Sequence, residues 1–168
     1  MSEAKEKARL RDVQRKEDMS RLATAVFHYE AKHRGALPDF SDANLNPDGA
    51  CLTDDSGEPV YAKSFCGSYL IVNDTFADPS GVAYNIVAVN NYNGAGGSVF
   101  PAVVDYPLKI ENDEILMVDV SDYKDYGYRF YVIYGATCNK EVAVATDKER
   151  KFAALYKLEQ GGAICQSN

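Results

Sequence analysis

Apolar residues recur at spacings of three and four at Met19, Leu22, Ala23, Val26 and Tyr29, so on a helix they share one side and form a stripe for packing on a core. The segment around them, residues 1–34, contains no Gly or Pro and ends at Gly35-Ala36-Leu37-Pro38, a helix stop. The first half of this predicted helix lacks the stripe. Leu10 and Val13 fall on roughly the opposite side, and the face that turns apolar later carries Asp12 and Arg15 earlier. The pattern predicts that only about Asp18 to Lys32 docks on the domain, while the earlier turns project. A helix from Glu3 to Lys32 is roughly 45 Å long, more than the radius of a compact domain of this size. It opens on Ser2-Glu3-Ala4-Lys5-Glu6-Lys7, polar and charged, which suggests a helix that projects into solvent or continues upstream.

Past Pro38 the pattern loses its period. Residues 35–67 are rich in Asp, Asn, Gly, Ser and Pro, with turn signals at Asn46-Pro47-Asp48-Gly49 and Asp54-Asp55-Ser56-Gly57, and a bridge from Cys51 to Cys66 would staple this loop region. Residues 68–168 then carry short β-type runs: Tyr69–Val72, Tyr84–Val89, Ile115–Val118, Tyr128–Tyr134, Val142–Val144 and Phe152–Tyr156. Turn-forming clusters separate most of them, as antiparallel hairpins require, and helix and strand do not alternate regularly, so a doubly wound parallel sheet is not expected. The predicted class is α+β in one domain of 168 residues, a long N-terminal helix followed by a mostly antiparallel sheet.

Composition narrows the function classes. The net charge of -7 and a pI near 4.8 argue against general nucleic-acid binding, which draws on clustered Lys and Arg. Basic residues do gather between Lys5 and Arg21, but Glu3, Glu6, Asp12, Glu17 and Asp18 interleave with them, as on a solvated helix face. No stretch approaches the roughly 20 apolar residues of a membrane span. The four cysteines, Cys51, Cys66, Cys138 and Cys165, form a near pair and a far pair without a Cys-x-x-Cys motif. That spacing favours disulfides over a zinc or redox site, and hence an oxidising, extracytoplasmic location.

Reactive constellations are hard to find. His28 and His33 stand five residues apart on the helix and point about 140° away from each other, too far to share a metal. Gly94-Ala95-Gly96-Gly97 lacks the Lys and Ser/Thr of a phosphate loop. Asp119, Asp122 and Asp125 recur every three residues and Asp74 and Asp78 bracket a turn; neither follows the helix-loop-helix calcium pattern, and turn capping is the preferred reading over a calcium site. No catalytic residue, resident metal or cofactor is therefore assigned, and the chain is not expected to be an enzyme. Two surface candidates remain. Asn90 to Ser98 is a flexible-looking loop in which Asn91, Tyr92 and Asn93 are candidate binding residues. Among twelve tyrosines, Tyr123, Tyr126, Tyr128, Tyr131 and Tyr134 crowd one segment, for which β-sheet packing is preferred over a contact surface; Tyr123 and Tyr126 are the surface candidates.

Three segments carry a family likeness. Ala8-Arg9-Leu10-Arg11-Asp12-Val13 and onward through Leu22, Val26 and Tyr29 to Gly35-Ala36-Leu37-Pro38 resembles the latter half of the N-terminal helix of bacterial type IV pilins and its exit. Asp78-Pro79-Ser80-Gly81-Val82-Ala83-Tyr84 is similar to the Asp-Pro-x-Gly-x-x-Tyr turn of pilins and secretion pseudopilins. Cys138 to Cys165, enclosing Arg150 to Glu159, resembles a pilin C-terminal disulfide loop. The resemblance implies a pilin fold with Cys138 paired to Cys165. It also implies a structural subunit of an extracellular filament that supports adhesion, surface motility or DNA uptake. Its partners would be other copies of the subunit, met through Leu10 and Val13 on the helix, with a host-cell or surface ligand as a further possibility. The alternatives are a pseudopilin of a type II-like secretion system and a minor pilin or tip adhesin. The family's cleavage motif, Gly before Phe with a Glu five positions into the mature chain, does not occur here, nor does its apolar half-helix. The resemblance therefore leads one to expect a native form with roughly 20 apolar residues continuing this helix upstream, anchored in the membrane before assembly, and a soluble monomer without them.

Overall fold

A computed structural model describes residues 2–49, 51–72, 75–89, 104–118, 128–148 and 150–168. One helix, α1 (Glu3–Lys32), is followed by eight strands among these residues: β1 (Asn85–Ala88), β2 (Leu108–Glu111), β3 (Glu114–Met117), β4 (Arg129–Tyr134), β5 (Ala136–Asn139), β6 (Val142–Ala145), β7 (Phe152–Lys157) and β8 (Ala163–Ser167). The α+β class and the long N-terminal helix are as expected from the pattern.

The ends of α1 are written in its sequence. Ser2 is the N-cap, its hydroxyl accepting from the Lys5 N–H at 3.1 Å, and Glu3 and Glu6 place negative charge at the positive end of the helix dipole. At the other end Arg34 and Gly35 both adopt positive φ, and the Gly35 N–H returns to the Glu30 carbonyl at 2.8 Å, closing the last turn. Among the described residues no helix is long and apolar enough to cross a membrane.

The strands make two four-stranded sheets, ordered β1-β4-β7-β8 and β2-β3-β6-β5. All pairings are antiparallel except β1 with β4, which run parallel, Asn85 opposite Arg129. β4 and β7 carry almost unbroken apolar runs because both of their faces are covered. Phe130, Val132, Tyr134, Phe152, Ala154 and Tyr156 face the cluster that holds Met19, Leu22 and Val26 of α1. The intervening Tyr131, Ile133, Ala153 and Leu155 face Ile115 and Ala143 of the second sheet. The domain is thus three layers, helix on sheet on sheet, with the β4–β7 pair at its centre.

Both disulfides form, Cys51–Cys66 and Cys138–Cys165. The first closes the segment after the helix; the second joins β5 of one sheet to β8 of the other.

Two sequence expectations are corrected. Tyr69–Val72 is not a strand: Cys66–Leu70 forms a short π-helical turn. Gly67 lies so close to the Tyr61 and Ala62 carbonyls that a Cβ would meet the former at 2.2 Å, while the Ser64 hydroxyl accepts the Gly67 N–H. Tyr69 then stacks on Phe65 with ring centroids 5.3 Å apart, a local packing that outweighs the β preference of a four-residue apolar run. Nor does docking of α1 begin at Asp18, because Asp12 and Arg15 are buried as well, and the Lys5 carbonyl accepts from the Gln160 side chain at 3.2 Å. Their charges are neutralised by each other and by Asp78 and Glu159 from turns outside the helix, which periodicity in apolar residues does not register.

Candidate functional site on the two faces of the long helix

α1 presents two chemically different faces. On the inner face, Arg15 is the hub of an ion cluster assembled from three separate segments, with only 1% of its side chain exposed. Its Nε and Nη2 donate to the two oxygens of Asp78 at 2.8 and 2.9 Å, a bidentate pair, and its Nη1 donates to Asp12 and to Glu159, both at 2.9 Å. Asp78 sits at the head of the Asp78-Pro79-Ser80-Gly81 turn, where it also accepts the Ser80 N–H at 2.9 Å and the Tyr156 hydroxyl at 2.6 Å. Glu159 leaves the end of β7 and takes both Nε and Nη2 of Arg11, at 2.8 and 2.5 Å. Asp12 caps the same hairpin from the helix side, its two oxygens accepting the Glu159 and Gln160 N–H groups at 2.9 and 3.0 Å.

The charges follow from this geometry. Burial alone would raise the Asp78 carboxyl, but the Arg15 guanidinium, the Tyr156 hydroxyl and the Ser80 donors outweigh it and hold the group at about 2. Glu159 is likewise drawn down to about 2, chiefly by Arg11 against a smaller burial effect, with Arg15 adding to the pull. One turn further on, Asp18 behaves in the opposite way. Burial pushes its carboxyl up, and the Tyr84 hydroxyl at 2.5 Å, the Gln14 amide at 3.0 Å and Arg21 at 3.6 Å offset only part of that. Tyr84 is itself pushed far above the ordinary phenol range by burial and by the neighbouring Asp18. This is the chemistry of a clamp, carboxylates and guanidinium saturating one another between helix, turn and hairpin.

The outer face carries Leu10, Val13 and Phe27, which are 52%, 40% and 68% exposed. Leu10 and Val13 stand on the side away from the buried Asp12 and Arg15, where the wheel puts them. An open groove of about 310 Å³ runs beside the helix, lined by Ser20, Arg21, Thr24, His28, Tyr69 and Leu70. Arg21 is tied down beneath it, donating to the Thr75 and Leu70 carbonyls at 2.7 and 3.1 Å. His28 and His33 are both exposed, the latter stacked on Tyr29.

The remaining sequence candidates fall in different places. Tyr131 and Tyr134 are buried in the central sheet, and the Tyr134 hydroxyl donates to the Pro38 carbonyl and accepts the Phe40 N–H, pinning the helix exit. Asn91, Tyr92, Asn93, Tyr123 and Tyr126 lie outside the described residues, as do Asp74 and the calcium candidates Asp119, Asp122 and Asp125. Among the described residues no group of His, Cys, Asp and Glu is arranged to hold a metal. Sequence reasoning missed the clamp, whose signal was two opposite charges, Asp12 and Arg15, continuing the face of the Met19 stripe; only the fold supplies Glu159 and Tyr156. No protein-family model, functionally characterised protein or solved structure matches this chain.

Proposed function

We propose that this chain is the globular part of a structural subunit of an extracellular type IV pilus filament, built on a pilin-like fold. The observation that carries the reading is the division of α1: its inner face is spent on the domain from Asp12 to Val26, while Leu10, Val13 and Phe27 stand in solvent on the outer face. Large apolar side chains on an otherwise polar helix face are suited to burial against a neighbouring subunit. Two disulfides fit a protein that works outside the cytoplasm, where thiols are oxidised. In assembly the helix contributes to subunit contacts and the sheets face outward and set the surface properties of the filament.

The test uses the natural full-length gene in its own host. Filaments sheared from the cell surface are expected to contain this chain as a repeating subunit. A photo-crosslinking residue at Leu10 or Val13 is expected to give a ladder of covalent oligomers, and one at the buried Leu22 none. Absence of the chain from sheared filaments, together with a reading frame that lacks an apolar helical extension ahead of Glu3, overturns the proposal. Short periplasmic assemblies in place of surface filaments would instead indicate the pseudopilin alternative.

A further inference from the structure

The two halves of α1 are held by different forces. From Met19 to Val26 the inner face is apolar and packed on the central sheet, with Met19, Leu22 and Val26 all buried. From Arg11 to Arg15 the contacts are ionic, to Glu159 and Asp78. Opening the apolar half exposes the hydrocarbon of Met19, Leu22 and Val26 to water, at a cost that grows with the area uncovered. Opening the ionic half returns buried charges to water, and their hydration offsets much of the attraction that is lost. The halves therefore differ in the free energy of local opening although they share one continuous helix.

We infer that α1 docks in two energetically separable halves, and that the N-terminal half opens together with the turn between β7 and β8, at Glu159 and Gln160, as one unit around Arg15. The coupling is geometric. Asp12 holds the backbone N–H groups of Glu159 and Gln160, Arg11 and Arg15 hold the Glu159 side chain, and Gln160 holds the Lys5 carbonyl. Neither partner can leave without releasing the other. The hairpin turn itself, Gly161 and Gly162 both at positive φ, is held, apart from α1, by its own Leu158–Gly162 and Lys157–Gly162 bonds and by Glu141, which accepts the Ala163 N–H at 3.1 Å. The device is a strap across one end of the domain, and its existence does not depend on the filament reading.

Native-state hydrogen exchange on the folded, oxidised chain tests it. Amides of Asp12–Lys16 and those of Glu159 and Gln160 are expected to open with a shared free energy, lower than that of Leu22–Val26. Glu159→Gln is expected to speed exchange about tenfold in both the helix segment and the β7–β8 turn, as loss of a hydrogen bond between charged groups implies, and to leave Leu22–Val26 unchanged. Arg11→Gln, which removes only the outer partner of Glu159, gives the same pattern at smaller size and serves if the first variant folds poorly. Equal opening along the whole helix, acceleration in one segment alone or in neither, or acceleration that spreads to Leu22–Val26 overturns the inference.

Discussion

Arg15 and Asp18 lie three residues apart and are both buried, yet substituting them is expected to have opposite effects. Arg15→Met removes the common partner of Asp12, Asp78 and Glu159 and strands carboxylates away from water, so a loss of about 3 to 5 kcal/mol is expected in denaturant unfolding. Asp78 and Glu159 have folded-state values near 2, below those of the unfolded chain. Over that window the unfolded state binds more protons, so their contribution is complete above about pH 4 to 5 and drains away as pH falls toward about 2. Asp18 is shifted the other way: its contribution is fully present below the ordinary carboxylate range and is lost as pH rises through its raised value. Asp18→Asn keeps an acceptor for the Tyr84 hydroxyl and discards the buried charge. It is expected to unfold at an equal or higher temperature than the parent at pH 7, with the gain vanishing near pH 3; thermal melts across that range decide it.

At the scale of elements, what was legible in the sequence and what was not divides along physical lines. Phe152–Tyr156 and Tyr128–Tyr134 read clearly as strands because both faces are covered and the apolar run is continuous, apart from Arg129. β2, β5 and β8 were not anticipated: each is four or five residues with at most two large apolar side chains, none in β5, and each exists because a neighbouring strand offers its hydrogen bonds. Cys66–Leu70 went the other way, since four apolar or aromatic positions cannot distinguish strand from helical turn until Phe65 and Gly67 are placed. The wheel located the outward Leu10 and Val13 and the inward Met19 stripe, but the ion cluster needed residues from the far end of the chain, Glu159 above all. Such long-range charge pairing leaves no local periodicity to find.

For the whole molecule, the two bridges act at different levels of organisation. Cys51–Cys66 closes a loop of 15 residues and Cys138–Cys165 one of 27. Chain entropy alone puts their contributions close together, at about 3 and about 3.5 kcal/mol. Their positions separate them. Replacing Cys138 and Cys165 by Ser removes the disulfide cross-link between the two sheets and is expected to lower the unfolding midpoint of the entire domain. Replacing Cys51 and Cys66 is expected to loosen residues 51–66 first, visible as early proteolysis there with the sheets still protected. Identical unfolding and cleavage patterns for the two double variants would show that the bridges do not act at separate levels.

The central position of the β4–β7 pair also governs how the chain is made. Met19, Leu22 and Val26 leave the ribosome long before Tyr156, and the surface that covers them is finished only when Tyr156 has emerged. Throughout that interval the helix has no permanent partner, and its apolar stripe needs temporary shelter.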